Sequence, residues 1–350
     1  MFKNQQEQTD SVGGTNYTVS LREMMERVKT EPPQKMIYSG IKENSVGFIF
    51  GPSKSGKTTF CENLALSIAS GQFEYLGKPI NSTNRKVLFL SLEEFYSGRT
   101  NRNIKQVEAI TTHVSGDTWI DNYIVATNNI PRYVTEKEDW KIISNEIKKH
   151  APGLVIIDSA SRLHNGPIED STEAKLLMKQ LRELALDVST TIIVIHHTPK
   201  LYNMPLSIYA LAGSRILAQE ADFMIGINKT LDGKIYLKEV AFRYAPEDCE
   251  TVSLLQMDDH QWFSVIGKAD EASLLSAFDG RKDEHNKAAI FEYIQERNAN
   301  GGAVVTTEEL FTLFVESKVC SKDTLHKALN SLVAEKKIQK PQKGHYKMPA

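Results

Sequence analysis

A glycine-rich turn at residues 51–58 constrains the fold of this chain more than any other segment. It reads Gly51-Pro52-Ser53-Lys54-Ser55-Gly56-Lys57-Thr58, which matches the phosphate-binding pattern G-x-x-x-x-G-K-[ST], and Thr59 follows it. The apolar run at 46–50 predicts a buried strand, and the run at 59–69 predicts a helix. A strand, a turn and a helix in this order direct backbone N–H groups at an anion. The segment therefore predicts a nucleoside triphosphate site, although a loop that binds without hydrolysis would have the same sequence.

Composition limits the class of protein. The 350 residues can hold one large and one small domain, and 25% charged with 41% hydrophobic residues is ordinary for a soluble protein. The net charge of −2 excludes a chain that is basic throughout, so a polyanion site must be a local patch. The three cysteines, Cys61, Cys249 and Cys320, show no disulfide or metal spacing. With no apolar leader or membrane-length run, we expect a cytoplasmic protein that does not contact membranes.

The segment from 41 to 268 alternates apolar strands with longer helical stretches. The predicted strands are the runs at 46–50, 87–90, 154–157, 191–195, 223–227 and 235–240. Most are continuous runs of Val, Ile, Leu and Phe without alternation, which is typical of parallel strands covered on both faces. This predicts an α/β fold, a doubly wound and mostly parallel sheet with flanking helices, whose ligands bind at the carboxyl ends of the strands.

Other segments flank this predicted domain. Residues 1–40 are expected to form a flexible segment with one short helix at 20–28, which could be a surface helix or a tether to a neighbouring subunit. Residues 269–284 are largely polar and predict a linker. Residues 285–350 predict a compact unit of three helices and a hairpin at 336–348. That order is typical of a winged-helix domain.

Acidic residues follow two of the predicted strands. Glu93 and Glu94 come after the strand at 87–90, where a carboxylate can orient and deprotonate water, but they could equally be the charged start of a helix. Asp158 ends the apolar run at 154–157, which is a Walker-B pattern. A carboxylate there holds Mg²⁺ together with the hydroxyl of Thr58.

The strand at 191–195 ends in a polar motif. Its residues are His196-His197-Thr198-Pro199-Lys200. Two adjacent histidines without further ligands at suitable spacing make a poor metal site. One interpretation is a hydrogen-bonded histidine at the end of a strand, and the other is a sensor of the last phosphate. Lys200 could contact phosphate, nucleic acid or a carboxylate.

Seven motifs in a fixed order resemble the RecA-like ATPases of the RepA type, a family of hexameric plasmid replicative helicases and their relatives on mobile elements. The motifs lie at 51–59, 69–71 with 76–79, 87–94, 156–159, 196–200, 213–214 with 221–222, and 243–246. The resemblance therefore spans about residues 38–265. It implies a RecA-like fold, ATP and Mg²⁺ as cofactors, DNA as a partner, and a homo-oligomer that is a hexameric ring.

The resemblance also implies roles for single residues. Lys57 belongs to the phosphate loop, Glu93 matches the position that polarises the attacking water, and Asp158 matches the acid associated with Mg²⁺. His197 matches the sensor position, where relatives have Gln or His. Arg243 matches an arginine finger that reaches the nucleotide of the next subunit.

The finger motif departs from the pattern of related ring helicases. Those proteins often have a lysine two residues before the arginine, and Ala241 stands there in this chain. Arg243 could instead be a salt-bridge former on a strand.

Contacts with nucleic acid are expected in two places. Loops at 162–172 and 199–211 are candidates to line a ring channel. The carboxyl-terminal unit is rich in lysine and poor in acids, which is an electrostatic footprint for phosphate or a docking face for a protein. The candidate cations are Lys200, Lys322, Lys327, Lys336, Lys337, Lys340, Lys343 and Lys347.

The sequence leaves three functions open. The first is an ATP-dependent motor on DNA, a RepA-like helicase. The second is a regulator without helicase activity, switched by ATP, that recruits DNA or a partner protein. The third is a signalling ATPase without a nucleic-acid role.

Overall fold

The computed structural model describes most of the chain. The described ranges are 18–31, 33–112, 114–166, 171–201, 204–211, 215–230, 232–248, 250–276, 282–299, 304–317 and 319–349. The predicted flexible residues 1–16 lie outside them. The chain divides into two compact units, residues 1–34 and 35–350.

The first unit contains one helix, α1 (Leu21–Thr30). The Ser20 hydroxyl caps it by accepting a hydrogen bond from the backbone N–H of Glu23 at 3.2 Å. None of its residues is buried within this unit, and its apolar side chains are exposed, Leu21 at 77%.

The second unit is built of strands and helices in alternation. Its strands are β1 (Met36–Tyr38), β2 (Ile41–Lys42), β3 (Val46–Pro52), β4 (Glu74–Tyr75), β5 (Lys78–Pro79), β6 (Val87–Ser91), β7 (Tyr123–Val125), β8 (Leu154–Asp158), β9 (Thr191–Thr198), β10 (Phe223–Lys229), β11 (Ile235–Phe242), β12 (Thr251–Met257), β13 (Phe263–Asp270), β14 (Val305–Thr306), β15 (Gln339–Gln342) and β16 (His345–Lys347). Its helices are α2 (Lys57–Ser70), α3 (Tyr96–Thr111), α4 (Lys137–His150), α5 (Ser171–Val188), α6 (Arg215–Glu220), α7 (Glu271–Ser276), α8 (Lys282–Ala299), α9 (Thr307–Phe311) and α10 (Lys322–Ala334).

In the described ranges, nine strands form one sheet in the order β13-β12-β11-β10-β3-β9-β8-β6-β7. The six strands from β10 to β7 are parallel, and β11, β12 and β13 extend the sheet antiparallel. Strand β9 lies between β3, which leads into the glycine-rich turn, and β8, which ends in Asp158. The predicted α/β class with a mostly parallel sheet is confirmed.

Apolar layers cover both faces of this sheet. Along β3, Phe48 and Phe50 join one buried cluster with Leu177 and Leu181 of α5. Ile49, which points to the other face, joins a second cluster that includes residues of α2. Burial on both faces explains why these strands carry no polar alternation.

Two boundaries differ from the sequence prediction. Residues 36–38 form β1. Ile37 and Tyr38 are buried in one apolar cluster, in which the ring of Tyr38 packs against that of Phe60, so this part of the predicted flexible segment belongs to the second unit. Residues 269–276 were predicted as a linker, but 269–270 complete β13 and 271–276 form α7. Backbone pairing with β12 and the buried side chain of Glu271 order this polar stretch. Of the rest of the predicted linker, residues 277–281 lie outside the described residues, and residues 282–284 begin α8.

The carboxyl-terminal part has the order α8, β14, α9, α10, β15, β16. Its three strands pair as β14-β16-β15. The predicted hairpin is present as β15 and β16, joined at Lys343-Gly344, and Ser321 caps α10 as an acceptor from Thr324 N–H at 3.1 Å. Its buried leucines, among them Leu325 and Leu329, join the same apolar cluster as one face of the central sheet.

Candidate active site

The glycine-rich turn is shaped by close packing against the neighbouring strand. Gly51 has a φ of +150°, and a Cβ there would lie 1.9 Å from the carbonyl oxygen of Ile227 on β10. Gly56, at φ +99°, is the N-cap residue of α2. Only glycine allows this approach, so residues 51–58 form a loop at the amino end of α2, where backbone N–H groups can face an anion.

Lys57 lies inside this loop. Its Nζ donates a hydrogen bond of 2.6 Å to the carbonyl oxygen of Pro52. Burial lowers the pKa of Lys57 to about 8, while the nearby carboxylate of Asp158 acts in the opposite direction. The Lys57 ammonium therefore donates to a neutral carbonyl oxygen. A triphosphate would be a stronger partner because its oxygens are charged.

Two oxygen ligands meet beside the loop. The Thr58 hydroxyl donates a hydrogen bond of 2.8 Å to Oδ2 of Asp158. Asp158 is 6% exposed, and burial raises its pKa to about 6 despite that hydrogen bond. A hydroxyl and a carboxylate are hard ligands of the kind that Mg²⁺ prefers, so the two residues fit a magnesium ion bound with nucleotide.

Glu93 approaches Asp158 from the end of β6. Its Oε1 accepts hydrogen bonds from the hydroxyls of Ser159 and Ser161, the latter at 2.8 Å, and its Oε2 lies 3.5 Å from Nε2 of His197. The interaction with His197, followed by those with the serines, lowers the pKa of Glu93 to about 2 against the effect of burial. Ligand atoms of Glu93, Asp158 and His197 all lie within 4.8 Å of one another.

The second acid of the pair points elsewhere. The carboxylate of Glu94 is bound by Arg102 of α3, at 2.7 Å and 3.2 Å. Helix α3 begins at Tyr96, so both acids precede it. The geometry thus separates a carboxylate that faces the site from one that faces a helix.

The ionic network to which Glu94 belongs was not predicted from the sequence. Arg102 also binds Glu62 of α2, which is fully buried, and Arg99 lies 3.4 Å from the same carboxylate. The buried positions of α3 are Arg99, Asn103, Gln106 and Ile110. In the sequence these positions form a mostly polar stripe at helical spacing. Such a stripe is typical of a solvent-exposed helix face, so it did not indicate burial.

His196 belongs to the core. It is 5% exposed, its ring packs edge-on against Phe48, and burial lowers its pKa to about 3. His197 is the histidine that reaches the site.

Arg243 lies near the amino ends of the parallel strands, whereas the glycine-rich turn lies at their carboxyl ends. It follows β11, whose Phe242 pairs with Phe223 at the start of β10. Its Nη1 is 3.3 Å from Oδ1 of Asp222, and Nη2 donates to the carbonyl oxygen of Gln219 at 3.0 Å. The structure does not bring Arg243 together with Lys57 in one chain, since β3 alone spans about 20 Å.

The candidate nucleic-acid residues are dispersed. Lys200 Nζ lies 3.9 Å from a carboxylate oxygen of Glu292 on α8. Of the candidate lysines in the carboxyl-terminal part, Lys347 is half-buried and the others are exposed, and Lys337 pairs with Glu335 at 3.1 Å. The exposed group is Lys322, Lys327, Lys336, Lys337, Lys340 and Lys343.

Among the helices that the structure describes, none is both long enough and apolar enough to cross a bilayer.

Comparison with known proteins places the chain in context. A family model described as an AAA domain (AAA_25) matches residues 19–202. No curated protein matches the chain.

Among solved structures, the KaiC-like protein PH0186 from Pyrococcus horikoshii OT3 is 15% identical, with a TM-score of 0.45 over 64% of this chain and 90% of that one. The ATPase domain of G40P is 15% identical, with a TM-score of 0.47 over 64% of this chain and 86% of that one.

Proposed function

The chain belongs to the AAA domain family and is a P-loop ATPase, and we propose that it hydrolyses ATP with Mg²⁺ at subunit interfaces to act on DNA as a RepA-like helicase. The observation that carries the catalytic part is the convergence of Lys57, Thr58, Glu93, Asp158 and His197 at the carboxyl ends of β3, β6, β8 and β9. These residues occupy one edge of the sheet, beside the loop that can surround phosphates.

Each side chain has a separate task in this proposal. The loop amides and Lys57 bind the triphosphate, and Thr58 with Asp158 holds the metal. Magnesium, when bound, offsets charge on the phosphoryl oxygens. Glu93 orients the attacking water and accepts its proton, and the low pKa of its carboxyl keeps it ionised at neutral pH. His197, next to Glu93, is placed to respond to the last phosphate.

Arg243 supports an assembly with shared sites. Because Arg243 lies at the end of the strands opposite to its own glycine-rich turn, it can reach a nucleotide only in another subunit. Its side chain is 41% exposed despite the pair with Asp222, so it can exchange partners. A head-to-tail interface of this kind closes into a ring or continues as a helix, and of these we propose a hexameric ring.

We propose that the carboxyl-terminal part is a winged-helix domain that contacts DNA. The order of helices and strands and the pairing β14-β16-β15 support this assignment. The exposed lysines on α10 and on the hairpin would meet phosphates without reading bases, because Arg is absent from residues 319–349.

One contact favours a second candidate, an ATP-switched regulator. Lys200, three residues beyond the sensor His197, lies near Glu292 and also near Glu296, both on α8. A change at the end of β9 could therefore reach the carboxyl-terminal part without any unwinding of DNA.

A strand-displacement assay separates the two candidates. Wild-type protein, Lys57→Ala and Glu93→Gln are compared on forked DNA, with ATP turnover and DNA binding measured in parallel. Unwinding that needs ATP and fails in both variants supports the helicase. Binding that depends on ATP without unwinding supports the regulator, and normal turnover by Lys57→Ala would overturn the catalytic site itself.

A further inference from the structure

One guanidinium joins the helix of the glycine-rich turn to the segment that carries Glu93. Arg102 donates from Nε and Nη2 to the two oxygens of Glu62, both at 2.7 Å. It also donates from Nη1 and Nη2 to the two oxygens of Glu94, at 3.2 Å and 2.7 Å. Glu62 lies one helical turn beyond Thr58 on α2, and Glu94 is next to Glu93. Two bidentate pairs on one side chain thus connect the two halves of the site.

The Glu62 half of this connection is shielded from water. Glu62 is fully buried, and the side chain of Arg102 is 17% exposed. Gln106 donates a hydrogen bond of 3.1 Å to Glu62, and Nε of Arg99 lies 3.4 Å from the same carboxylate as an ion pair. Little solvent can therefore replace the contacts of Arg102 with Glu62, and these contacts fix the orientation of the guanidinium that binds Glu94.

A second arginine holds the backbone of the same segment. Nη1 of Arg132 donates to the carbonyl oxygens of Ser91 and Glu94, at 3.1 Å and 2.8 Å. These carbonyls lie on either side of Glu93, so the short turn that carries Glu93 is held through its main chain as well as through Glu94.

We infer that Arg102 and Glu94 are positioning residues for ATP hydrolysis, which fix the carboxylate of Glu93 relative to Lys57 and Thr58. The inference rests on the proposed role of Glu93 as the base. Each residue acts through the placement of Glu93. Because a shift of about 1 Å in a reacting group can lower a rate roughly 100-fold, such a clamp directly affects turnover.

The test uses Glu94→Gln and Arg102→Met in the full-length protein. Glu94 is 39% exposed and its replacement leaves the pair of Arg102 with Glu62 intact, so Glu94→Gln should fold even if Arg102→Met does not. Matched controls on the same helix are Glu108→Gln and Lys105→Met, both exposed positions. We expect kcat to fall about tenfold in Glu94→Gln, with the KM for ATP within about twofold, while the controls match wild type.

Combination with Glu93→Gln separates positioning from a general structural role. If Glu94 acts through Glu93, Glu94→Gln should lower kcat no further once Glu93 is replaced. An unchanged kcat in Glu94→Gln, or an equal further loss in the double variant, would overturn the inference. Normal turnover by Glu93→Gln alone would instead overturn the proposed base, so the two failures are distinguishable.

Discussion

The carboxylate of Glu93 and the imidazole of His197 lie 3.5 Å apart, across the end of the strand that carries Asp158. Glu93 follows β6 and His197 lies on β9, so the contact spans β8 and joins the proposed base to the proposed sensor. The same contact is the main reason for the low pKa of the Glu93 carboxyl. A phosphate that draws His197 away would therefore also change the environment of Glu93.

The contact predicts different effects for two substitutions of His197. His197→Ala removes the donor to Glu93, and we expect kcat for ATP to fall about 10- to 100-fold. His197→Gln keeps an amide that can donate, so its loss should be under about threefold. Steady-state ATPase assays check this, with His150→Ala on α4 as control. Equal activity of both variants would contradict a role for the hydrogen bond.

Much of the fold could be predicted because the parallel strands are buried on both faces. The predicted strands are all present, but several extend further than their apolar runs. Strand β9 continues through His197 because the backbone of His197 pairs with that of Gly51. The hydropathy of the side chains does not indicate this backbone pairing. Strands β12 and β13 were missed for the same reason. Much of β13 is exposed, and pairing with β12 rather than apolar burial orders it.

The site was predictable where residue type and strand position coincide. Asp158 and Thr58 follow a recognised pattern and meet in space. Arg102 was not predictable, because its partners lie 40 and 8 residues away in the chain and its helix resembles a solvated one. Adjacent acids such as Glu93 and Glu94 can be distinguished only by the direction of the backbone after β6.

Buried charge at Asp158 should reduce stability when no metal is bound. Its pKa is raised from 3.8 to about 6, so the folded protein keeps a proton that the unfolded chain releases between these values. The stability of wild type therefore falls as pH rises through that window. Asp158→Asn cannot titrate, and in EDTA at pH 7.5 it should be more stable by about 1–3 kcal/mol.

Thermal unfolding at pH 5 and pH 7.5 measures this difference. The advantage of Asp158→Asn should be smaller at pH 5, and the variant should not hydrolyse ATP. A variant less stable than wild type at pH 7.5 would show that the carboxylate is well solvated or paired.

Glycine is required at position 51 by packing as well as by conformation. An added Cβ would meet the Ile227 carbonyl oxygen at 1.9 Å, so Gly51→Ala should cost about 3 kcal/mol or more of unfolding free energy. Gly77→Ala is the matched control, since Gly77 also has a positive φ, +71°, but nothing lies within 4 Å of its added Cβ. It should cost about 1 kcal/mol. Urea unfolding compares the two, and similar values would refute the packing argument.

The exposed lysines of α10 should contribute to DNA binding through charge. Replacing Lys322 and Lys327 with alanine should weaken binding to any DNA sequence and reduce the slope of log affinity against log salt by about 1 per lysine. Fluorescence anisotropy at several salt concentrations measures the slope. Lys141→Ala with Lys149→Ala, on exposed positions of α4, serves as control. An unchanged slope would assign this face to a protein partner.

Mixed oligomers test whether Arg243 acts on a neighbouring subunit. Arg243→Ala keeps its own glycine-rich turn but lacks the finger, and Lys57→Ala has the opposite defect. Each alone should be nearly inactive, whereas in an equal mixture about a quarter of the interfaces combine an intact Lys57 with an intact Arg243. ATP turnover of the exchanged mixture should therefore recover toward that fraction. Arg182→Ala is the structural control, because Arg182 contacts the same Asp222 at 3.3 Å. If Arg182→Ala lost as much activity as Arg243→Ala, and mixing restored none of it, Arg243 would have only the structural role of pairing with Asp222.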